Sequence, residues 1–264
     1  MKTRTTPWLY PVMPNLWVFV FLIAFLYASV GHGGASGYLA VMTLLAYEPM
    51  RMATNALLLN LIVAGMAFLT FRQAGYTSTR LVWPFIVTSI PAAFLGGRLL
   101  ISSQTYGWLL AVVLLVAALR LGFHRVEPVP ATSVGAMAAG DRRSRVALTM
   151  ALPIGAGIGL LSGIVGVGGG IFLSPLMLLC RWAPPKSVAA ASALFILVNS
   201  ASGLLGRLCA GRLQVFSVWP LIGVVLIGGW VGAWLGARRF SNVWMCRVLA
   251  LVLVIAAAKG ALHG

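Results

Sequence analysis

A glycine-rich run, Gly163 to Gly170, constrains this chain more than any other feature, because it lies inside the long apolar stretch from Val146 to Arg181. Glycine weakens a helix by roughly 1 kcal/mol relative to alanine, and it lets backbone or ligand approach closely. In a bilayer, the N–H and C=O groups of a broken helix are tolerated only where protein or a polar cavity satisfies them. We therefore expect a helix that is interrupted here for a functional reason.

A second, degraded copy of the run occupies Val30 to Gly37, inside the apolar stretch Asn15–Tyr47. Glycines in membrane helices commonly serve close helix packing, and that interpretation stays open for each glycine taken singly. The repetition of a glycine cluster at the same place in two overlong stretches favours a break that builds a binding site.

The composition excludes a water-soluble globular protein. Of the 264 residues, 61% are hydrophobic and 8% are charged, and the mean hydropathy is +1.00. Most apolar stretches approach the ~20 residues that a spanning helix needs. The expected fold is an all-α polytopic membrane protein with about eight membrane segments, placed in the lipid bilayer of the cell (inner) membrane. The stretches are Asn15–Tyr47, Met52–Phe71, Leu81–Ile101, Tyr106–Leu121, Val146–Cys180, Ser187–Leu208, Val215–Ala237 and Val243–Leu262.

A basic linker, residues 122–145, divides the chain into a first membrane repeat, 1–121, and a second, 146–264. Landmarks recur in the same order across it: Pro49 and Ala53 match Pro185 and Ala189, for example. Matched landmarks indicate an internal duplication, a common design among transporters. In each half the first segment is the one that the glycine run breaks.

The topology of the two repeats stays open between two arrangements. As a continuous helix, the first element of each half would measure ~50 Å against a hydrocarbon core of ~30 Å. It must tilt steeply, which makes the repeats parallel, or turn back, which makes them inverted. Counting positive charges gives 12 of the 19 basic residues on one side in both cases, with the linker cytoplasmic. The glycines lie near the middle of each element, which favours reversal.

The net charge of +16 does not indicate nucleic acid, because the basic residues lie mainly at segment ends and in loops. The acidic residues Glu48, Glu127 and Asp141 all lie outside the deep parts of the predicted segments. A cation site built from buried carboxylates is therefore not expected. The three cysteines lack metal-like spacing, so we predict neither a metal site nor a cofactor. Arg98 and Arg207, at segment ends, are expected to act as interfacial anchors, with an electrostatic funnel as the alternative.

The second half resembles the TauE/SafE family of membrane permeases, often described as sulfite exporters. The resemblance rests on Gly166-Val167-Gly168-Gly169-Gly170, then Pro175-Leu176, then Lys186 and the segment Ala189 to Ser192. It extends over nearly the whole chain and implies a permease for small sulfur-containing or organic anions. The first half departs from the pattern, since His32 and Ala35-Ser36 interrupt the glycines and Ala40 stands in place of a proline.

A helix that begins after a glycine turn presents free N–H groups and the positive end of its dipole, which suits an anion. The helix starts near Ala35 and Ile171 are the candidates for this role. Among polar residues of the following helices we favour Asn55, Ser192 and Asn199 over Thr54, Asn60, Ser200 and Ser202, although each could instead bridge helices. The predicted substrate-binding residues are Gly31, His32, Gly33, Gly34, Ser36, Asn55, Gly166, Gly168, Gly169, Gly170, Ser192 and Asn199.

His32 is the candidate carrier of a coupling proton, because it lies in the first glycine turn and imidazole titrates near physiological pH. The alternative is a neutral histidine bonded to a nearby carbonyl. The leading function is a secondary transporter that alternates access around the two breaks, with a passive anion channel as the alternative. No enzymatic role is expected: Gly168-Gly169-Gly170 lacks the Lys-Ser/Thr of a phosphate-binding turn. A structural subunit would leave the repeated breaks unexplained. The sequence does not assign an oligomeric state.

Overall fold

The structure is a computed structural model that describes residues 14–44, 49–76, 79–99, 148–180, 182–213 and 219–245, with short pieces between 101 and 112 and at 247–248. Within these residues the chain forms helices and no strand. The bounded helices are α1 (Pro14–Ser29), α2 (Ala35–Leu44), α3 (Pro49–Gln73), α4 (Thr79–Arg98), α5 (Leu148–Val165), α6 (Gly170–Leu179), α7 (Pro185–Cys209) and α8 (Trp219–Arg238).

The two longest helices, α3 and α7, begin and end on similar local signals. Each begins at a proline, Pro49 or Pro185, whose fixed φ suits the first helical position and whose missing N–H costs nothing there. Each ends just before a glycine with positive φ, Gly75 at 87° and Gly211 at 68°. Each is also followed along the chain by a further apolar helix, α4 or α8.

Four helices are long and apolar enough to cross a membrane, namely α3, α4, α7 and α8, while α1 and α5 are shorter apolar helices. The protein is thus an all-helical, multi-pass membrane protein in its described part. The predicted number of eight membrane segments stays a prediction. The linker 122–145 lies outside the described residues, as do most of the predicted segments Tyr106–Leu121 and Val243–Leu262, so the division into repeats 1–121 and 146–264 also stays a prediction.

Glycines at every fourth position bring two pairs of helices into close backbone contact. Three glycines of α5 face backbone of α4, and three glycines of α8 face backbone of α1. This small-xxx-small spacing lets membrane helices approach without side chains between them. The residue separation within each pair is constant, so both pairs are parallel. The contacts are Gly155 with Phe85, Gly159 with Ser89, Gly163 with Ala93, Gly228 with Phe21, Gly232 with Phe25 and Gly236 with Ser29.

Helices α3 and α7 lie at the centre of the bundle and run antiparallel. A Cβ built on Gly65 would lie 3.5 Å from Cδ1 of Leu197, and one built on Gly203 would lie 3.3 Å from Cδ1 of Leu57. The residue number therefore rises along one helix as it falls along the other. Helix α4 also packs against α7, and α8 against α3.

The chain folds back on itself at both glycine runs. After the first run, Gly37 of α2 approaches Ile23 of α1: a Cβ built on Gly37 would lie 2.6 Å from Cγ2 of Ile23. After the second, Gly169 approaches Ile158 of α5 in the same way, at 2.7 Å. A helix that simply continued would carry these pairs well apart, since each residue adds 1.5 Å of length. Both runs are therefore turns that return the chain.

Each glycine break rests on the long helix of the other half of the chain. A Cβ on Gly31 would overlap the carbonyl of Ala189 in α7, and one on Gly166 would lie 2.7 Å from the carbonyl oxygen of Ala53 in α3. Both glycines also have positive φ, 76° and 85°, a conformation that side-chain-bearing residues rarely adopt. Glycine is required at both positions for two independent reasons.

Candidate functional site

The second break presents the start of a helix without a side-chain cap. Helix α5 ends at Val165, and α6 begins at Gly170, with Gly169 as its N-cap at φ 80° and no side-chain hydrogen bond to the cap. The N–H groups of Phe172 and Leu173 both donate to the carbonyl of Gly169. The first N–H groups of a helix have no intrahelical acceptor, and they carry the positive end of the dipole.

Two buried polar side chains converge on Gly168, just before this helix start. A Cβ on Gly168 would lie 2.6 Å from Nδ2 of Asn60 and 3.3 Å from Oγ of Ser200. Asn60 comes from α3 and Ser200 from α7, so both halves of the chain contribute. Within the described residues neither atom has a hydrogen-bond partner.

The orientation of the Asn60 amide follows from its other contact. The backbone N–H of Ala35, the first residue of α2, donates to Oδ1 of Asn60 over 3.0 Å. Only the oxygen can accept this hydrogen, so the NH₂ group must face the other way. Asn60 therefore caps the helix after the first break and turns its two donors toward Gly168 at the second.

Ser192 and Asn199 are two further buried polar side chains of α7, and helical spacing places both on the side of Ile196 away from Ser200. Both side chains are fully buried, and neither Oγ of Ser192 nor either amide atom of Asn199 has a partner among the described residues. Helical spacing places Asn199 between Ile196, which faces Gly168, and Gly203, which faces Gly163. A buried polar group without a partner costs about 1–3 kcal/mol, so such a cluster points to a bound polar species.

The first break is closed by internal contacts. His32 is buried, its Nδ1 lies 3.1 Å from the carbonyl oxygen of Val30, and its Nε2 lies 2.9 Å from Oγ of Ser174 in α6. Ser36 shares a 2.6 Å hydrogen bond with the hydroxyl of Tyr27.

The first-break glycines likewise face protein. Gly33 lies against the side chain of Asn60, and a Cβ on Gly34 would lie 3.0 Å from the hydroxyl oxygen of Tyr38. The N–H of Ala35, a predicted anion donor, is already used by Asn60. The two helix starts are therefore not equivalent.

Not all predicted residues come together. Gly166, Gly168, Gly169, Gly170, Ser192 and Asn199 lie at or beside the second break, whereas Gly31, His32, Gly33, Gly34 and Ser36 form the first. Asn55 is buried on α3 but stands five residues before Asn60, about 140° around the helix axis. It therefore faces away from Gly33 and Gly168, the two glycines that Asn60 contacts. The assignment of all these residues to substrate binding stays a prediction.

Asn60, Ser200 and Ser174 are the residues that sequence reasoning did not select. A helical-phase argument could have found Asn60, because it shares a face of α3 with Ala53, the counterpart of Ala189 in the other half. The same helical-phase argument applies to Ser200, which lies four residues after Ile196 and therefore on the same face of α7. No sequence signal indicates Ser174, whose contact with His32 spans 142 residues.

The expectation of an interfacial anchor is wrong for Arg207. Its side chain is 6% exposed, and its Nη2 donates to the carbonyls of Gly163 at 3.0 Å and Ile164 at 2.9 Å. A cation at these carbonyls offsets the negative end of the α5 dipole. Arg207 thus ties the end of α5 to the last turn of α7. Arg98, by contrast, is exposed and lies over the ring of Phe94.

Comparison with known proteins agrees with this architecture. The family described as Sulfite exporter TauE/SafE matches residues 16–260. The chain is 34% identical over 249 residues to "Probable membrane transporter protein y4hK" of Sinorhizobium fredii (strain NBRC 101917 / NGR234), covering 90% of this chain and 94% of the relative.

A second relative, "Probable membrane transporter protein YunE" of Bacillus subtilis (strain 168), is 29% identical over 101 residues, which cover 37% of this chain and 36% of the relative. No solved structure matches the chain significantly. The family match over nearly the whole length, together with the apolar helices, leads to one conclusion. The chain belongs to the TauE/SafE sulfite exporter family and is a multi-pass membrane transporter.

Proposed function

We propose that this protein is a secondary transporter for a small anion, of the sulfite or sulfonate class, which binds at the second glycine break. The observation that carries the proposal is the pair of buried, unpartnered polar groups beside the start of α6, Asn60 Nδ2 and Ser200 Oγ, with the unpartnered amide of Asn199 on the same helix as Ser200. Together with the first N–H groups of α6, they form a site of neutral donors at the positive end of a helix dipole.

The sign of the substrate charge follows from what surrounds this site. A cation would need carbonyl or carboxylate oxygens, and the three acidic residues of the chain all lie outside the deep parts of the predicted membrane segments. The guanidinium of Arg207, close to the end of α5, adds positive charge on the same side of the break. An anion of one or two charges fits these surroundings, and amide, hydroxyl and backbone donors suit an oxyanion.

Alternating access is supported by the relation between the two halves. The contacts are reciprocal: α1 packs on α8 as α5 packs on α4, and each break rests on the opposite long helix. Since α3 and α7 are antiparallel, the halves are inverted repeats in this proposal, a frequent design in secondary transporters. Parallel α4 and α5 then require a return crossing, which the predicted segment Tyr106–Leu121 would supply. The site between the halves becomes accessible from each side as one half rocks against the other.

The coupling ion in this proposal is a proton carried by His32. The imidazole lies in the first break and contacts α6, the helix whose N-terminus receives the anion. A proton at His32 would reduce the cost of moving a negative charge through the bundle. The cell (inner) membrane is the proposed location, where a proton gradient is available.

The test is uptake into proteoliposomes of radiolabelled sulfite, thiosulfate, a sulfonate and a carboxylate, with sodium as the cation arm. The proposal expects at least one anion to accumulate, and expects Gly168→Ala to reduce its flux about tenfold or more, because the methyl group would occupy the space between Asn60 and Ser200. Gly211→Ala is the matched control: its φ is also positive, at 68°, but no described residue lies within 4 Å of the added methyl group.

Counterflow separates a carrier from a channel. When the proteoliposomes are loaded with unlabelled anion, a carrier produces a transient accumulation of labelled anion inside them, whereas a channel does not. Selective flux of sodium, or equal flux in Gly168→Ala and the unmodified protein, would overturn the proposed site. Anion flux without counterflow would replace the transporter by a channel.

A further inference from the structure

Ser174 occupies a position between the two breaks that permits two hydrogen-bonding arrangements. Its Oγ lies 2.9 Å from Nε2 of His32 and 2.8 Å from the carbonyl oxygen of Gly170. On the other side of the ring, Nδ1 of His32 lies 3.1 Å from the carbonyl oxygen of Val30. Four hydrogen-bonding groups are thus connected in a row, from the first break to the first turn of α6: the Val30 carbonyl, the His32 ring, the Ser174 hydroxyl and the Gly170 carbonyl.

The neutral imidazole of His32 fits these hydrogen bonds in one tautomer. A carbonyl oxygen can only accept, so Nδ1–H donates to Val30, and the bare Nε2 accepts the hydroxyl hydrogen of Ser174. The carbonyl of Gly170 retains its helical hydrogen bond from the N–H of Ser174. Each polar atom of the ring then has a partner.

The doubly protonated ring fits the same heavy-atom positions. Nδ1–H still donates to Val30, Nε2–H now donates to the oxygen of Ser174, and the hydroxyl hydrogen rotates to the carbonyl of Gly170. His32 gains one proton and one positive charge, while Ser174 keeps its own proton. Proton uptake therefore needs the rotation of one hydroxyl and no movement of a side chain.

We infer that Ser174 is a positioning residue that allows His32 to bind and release a proton inside the helix bundle. Without this hydroxyl, the Nε2–H of the charged ring would lose the acceptor that lies 2.9 Å away and would keep only the backbone carbonyl of Gly170 as a partner, which would disfavour the charged ring. The inference deepens the proposed function, because the hydroxyl that responds to His32 is hydrogen-bonded to the first turn of the helix that receives the anion.

Among the described residues, few other titratable or charged groups lie near the hydrogen bonds of His32 and Ser174. Tyr27 of α1 meets the imidazole edge to face, at 6.5 Å between ring centroids, and Tyr38 of α2 places its hydroxyl beside Gly34. Lys186 lies one turn before Ala189 on α7, and its Nζ donates to the carbonyl of Ala237 and lies over the ring of Tyr76. On α3, Arg51 lies in the first turn, two residues before Ala53.

The test is a titration of the histidine nitrogens by ¹⁵N NMR on the full chain in nanodiscs. The chain holds three histidines, and loss of a signal in His32→Gln assigns the one of interest. We expect His32 to titrate, and we expect Ser174→Ala to move its midpoint about one pH unit lower. Ser174→Thr and Ser174→Val, which differ by the hydroxyl alone, provide a second pair, with Thr near the unmodified protein and Val near Ala. Ser162→Ala, which removes another buried hydroxyl, should leave the midpoint unchanged.

An unchanged midpoint in both Ser174→Ala and Ser174→Val, or a His32 that does not titrate between pH 4 and 8, would overturn the inference. This readout is independent of transport. In proteoliposomes loaded with sulfite, Ser174→Ala should retain exchange of sulfite without a gradient while losing most of the accumulation that a pH gradient drives. Loss of exchange in the unmodified protein would count against the proposed function and leave the titration result standing.

Discussion

Asn60 of α3 accepts a hydrogen bond from the backbone N–H of Ala35, 3.0 Å away, at the first turn of α2. One side chain therefore completes the end of the first break while its NH₂ group faces Gly168 at the second. This single contact makes the two breaks chemically different, although their glycines are placed alike.

Replacement of Asn60 by aspartate should reduce anion flux about tenfold or more at neutral pH. The acceptor for Ala35 is retained, but a negative charge replaces two donors beside Gly168, and like charges at this range repel strongly. The measurement is initial uptake into proteoliposomes. Asn60→Leu, which removes both functions, should in addition lower the apparent melting temperature in detergent. Uptake by Asn60→Asp at the unmodified rate would remove Asn60 from the binding site.

Alanine at Gly31 or Gly166 should prevent stable folding. At each position the added methyl group meets backbone of the opposite half, and the positive φ costs a further 1–2 kcal/mol, as a rough figure. Gly75→Ala is the control, because its φ is 87° and, in the part of the chain that the structure describes, nothing lies within 4 Å of the new methyl group. Fluorescence-detected size exclusion should show a monodisperse peak for the control alone. Equal melting temperatures for the three variants would contradict the close contact.

Arg207→Met should destabilise the protein by about 2–3 kcal/mol, because two backbone carbonyls at the end of α5 lose a charged donor. Arg98→Met is the matched comparison, since Arg98 also ends a helix but is exposed, and its loss should cost less than about 1 kcal/mol. Thermal unfolding in the same detergent gives both values. A larger loss for Arg98 would show that the charge, and not the buried hydrogen bonds, matters.

Two glycines of α8 should respond to alanine in opposite directions. Gly232→Ala would overlap the carbonyl of Phe25 and force α1 away from α8, whereas a methyl group on Gly223 would meet none of the described residues within 4 Å. Gly223→Ala should be neutral or stabilising by up to about 1 kcal/mol, as expected for a helical glycine. Expression level and melting temperature of the two variants provide the measurement. If Gly232→Ala were the more stable variant, the close α1–α8 contact would be refuted.

The coarse level of the fold could be predicted from composition and local penalties. Apolar stretches of spanning length define an all-helical membrane protein, and the family resemblance in the second half is confirmed over residues 16–260. Helices α1 and α5 end at Ser29 and Val165, where the following glycines lower the stability of a helix. These features depend on residues close together in the chain, which is why a sequence reveals them.

The pairing of helices and the composition of the candidate site depend on contacts between distant residues. His32 and Ser174 lie 142 residues apart, and nothing in either segment indicates the other. The choice of Asn55 over Asn60 shows a different limit: both are asparagines near the first break, and only the helical phase relative to the partner helix separates them. Arg207 was misjudged because a basic residue at a helix end is the same in sequence whether its head group reaches water or a carbonyl.

The reciprocal contacts of Gly31 with Ala189 and of Gly166 with Ala53 limit what half of this chain could do alone. A polypeptide that ended before the linker would contain a glycine turn but no antiparallel helix against which to close it. Two copies of such a half, inserted in opposite orientations, would restore both contacts. Under the proposed duplication, the ancestor would be a small protein of dual orientation that worked as a pair, and we expect the halves of the present chain to reassemble when they are made as separate fragments and inserted in opposite directions.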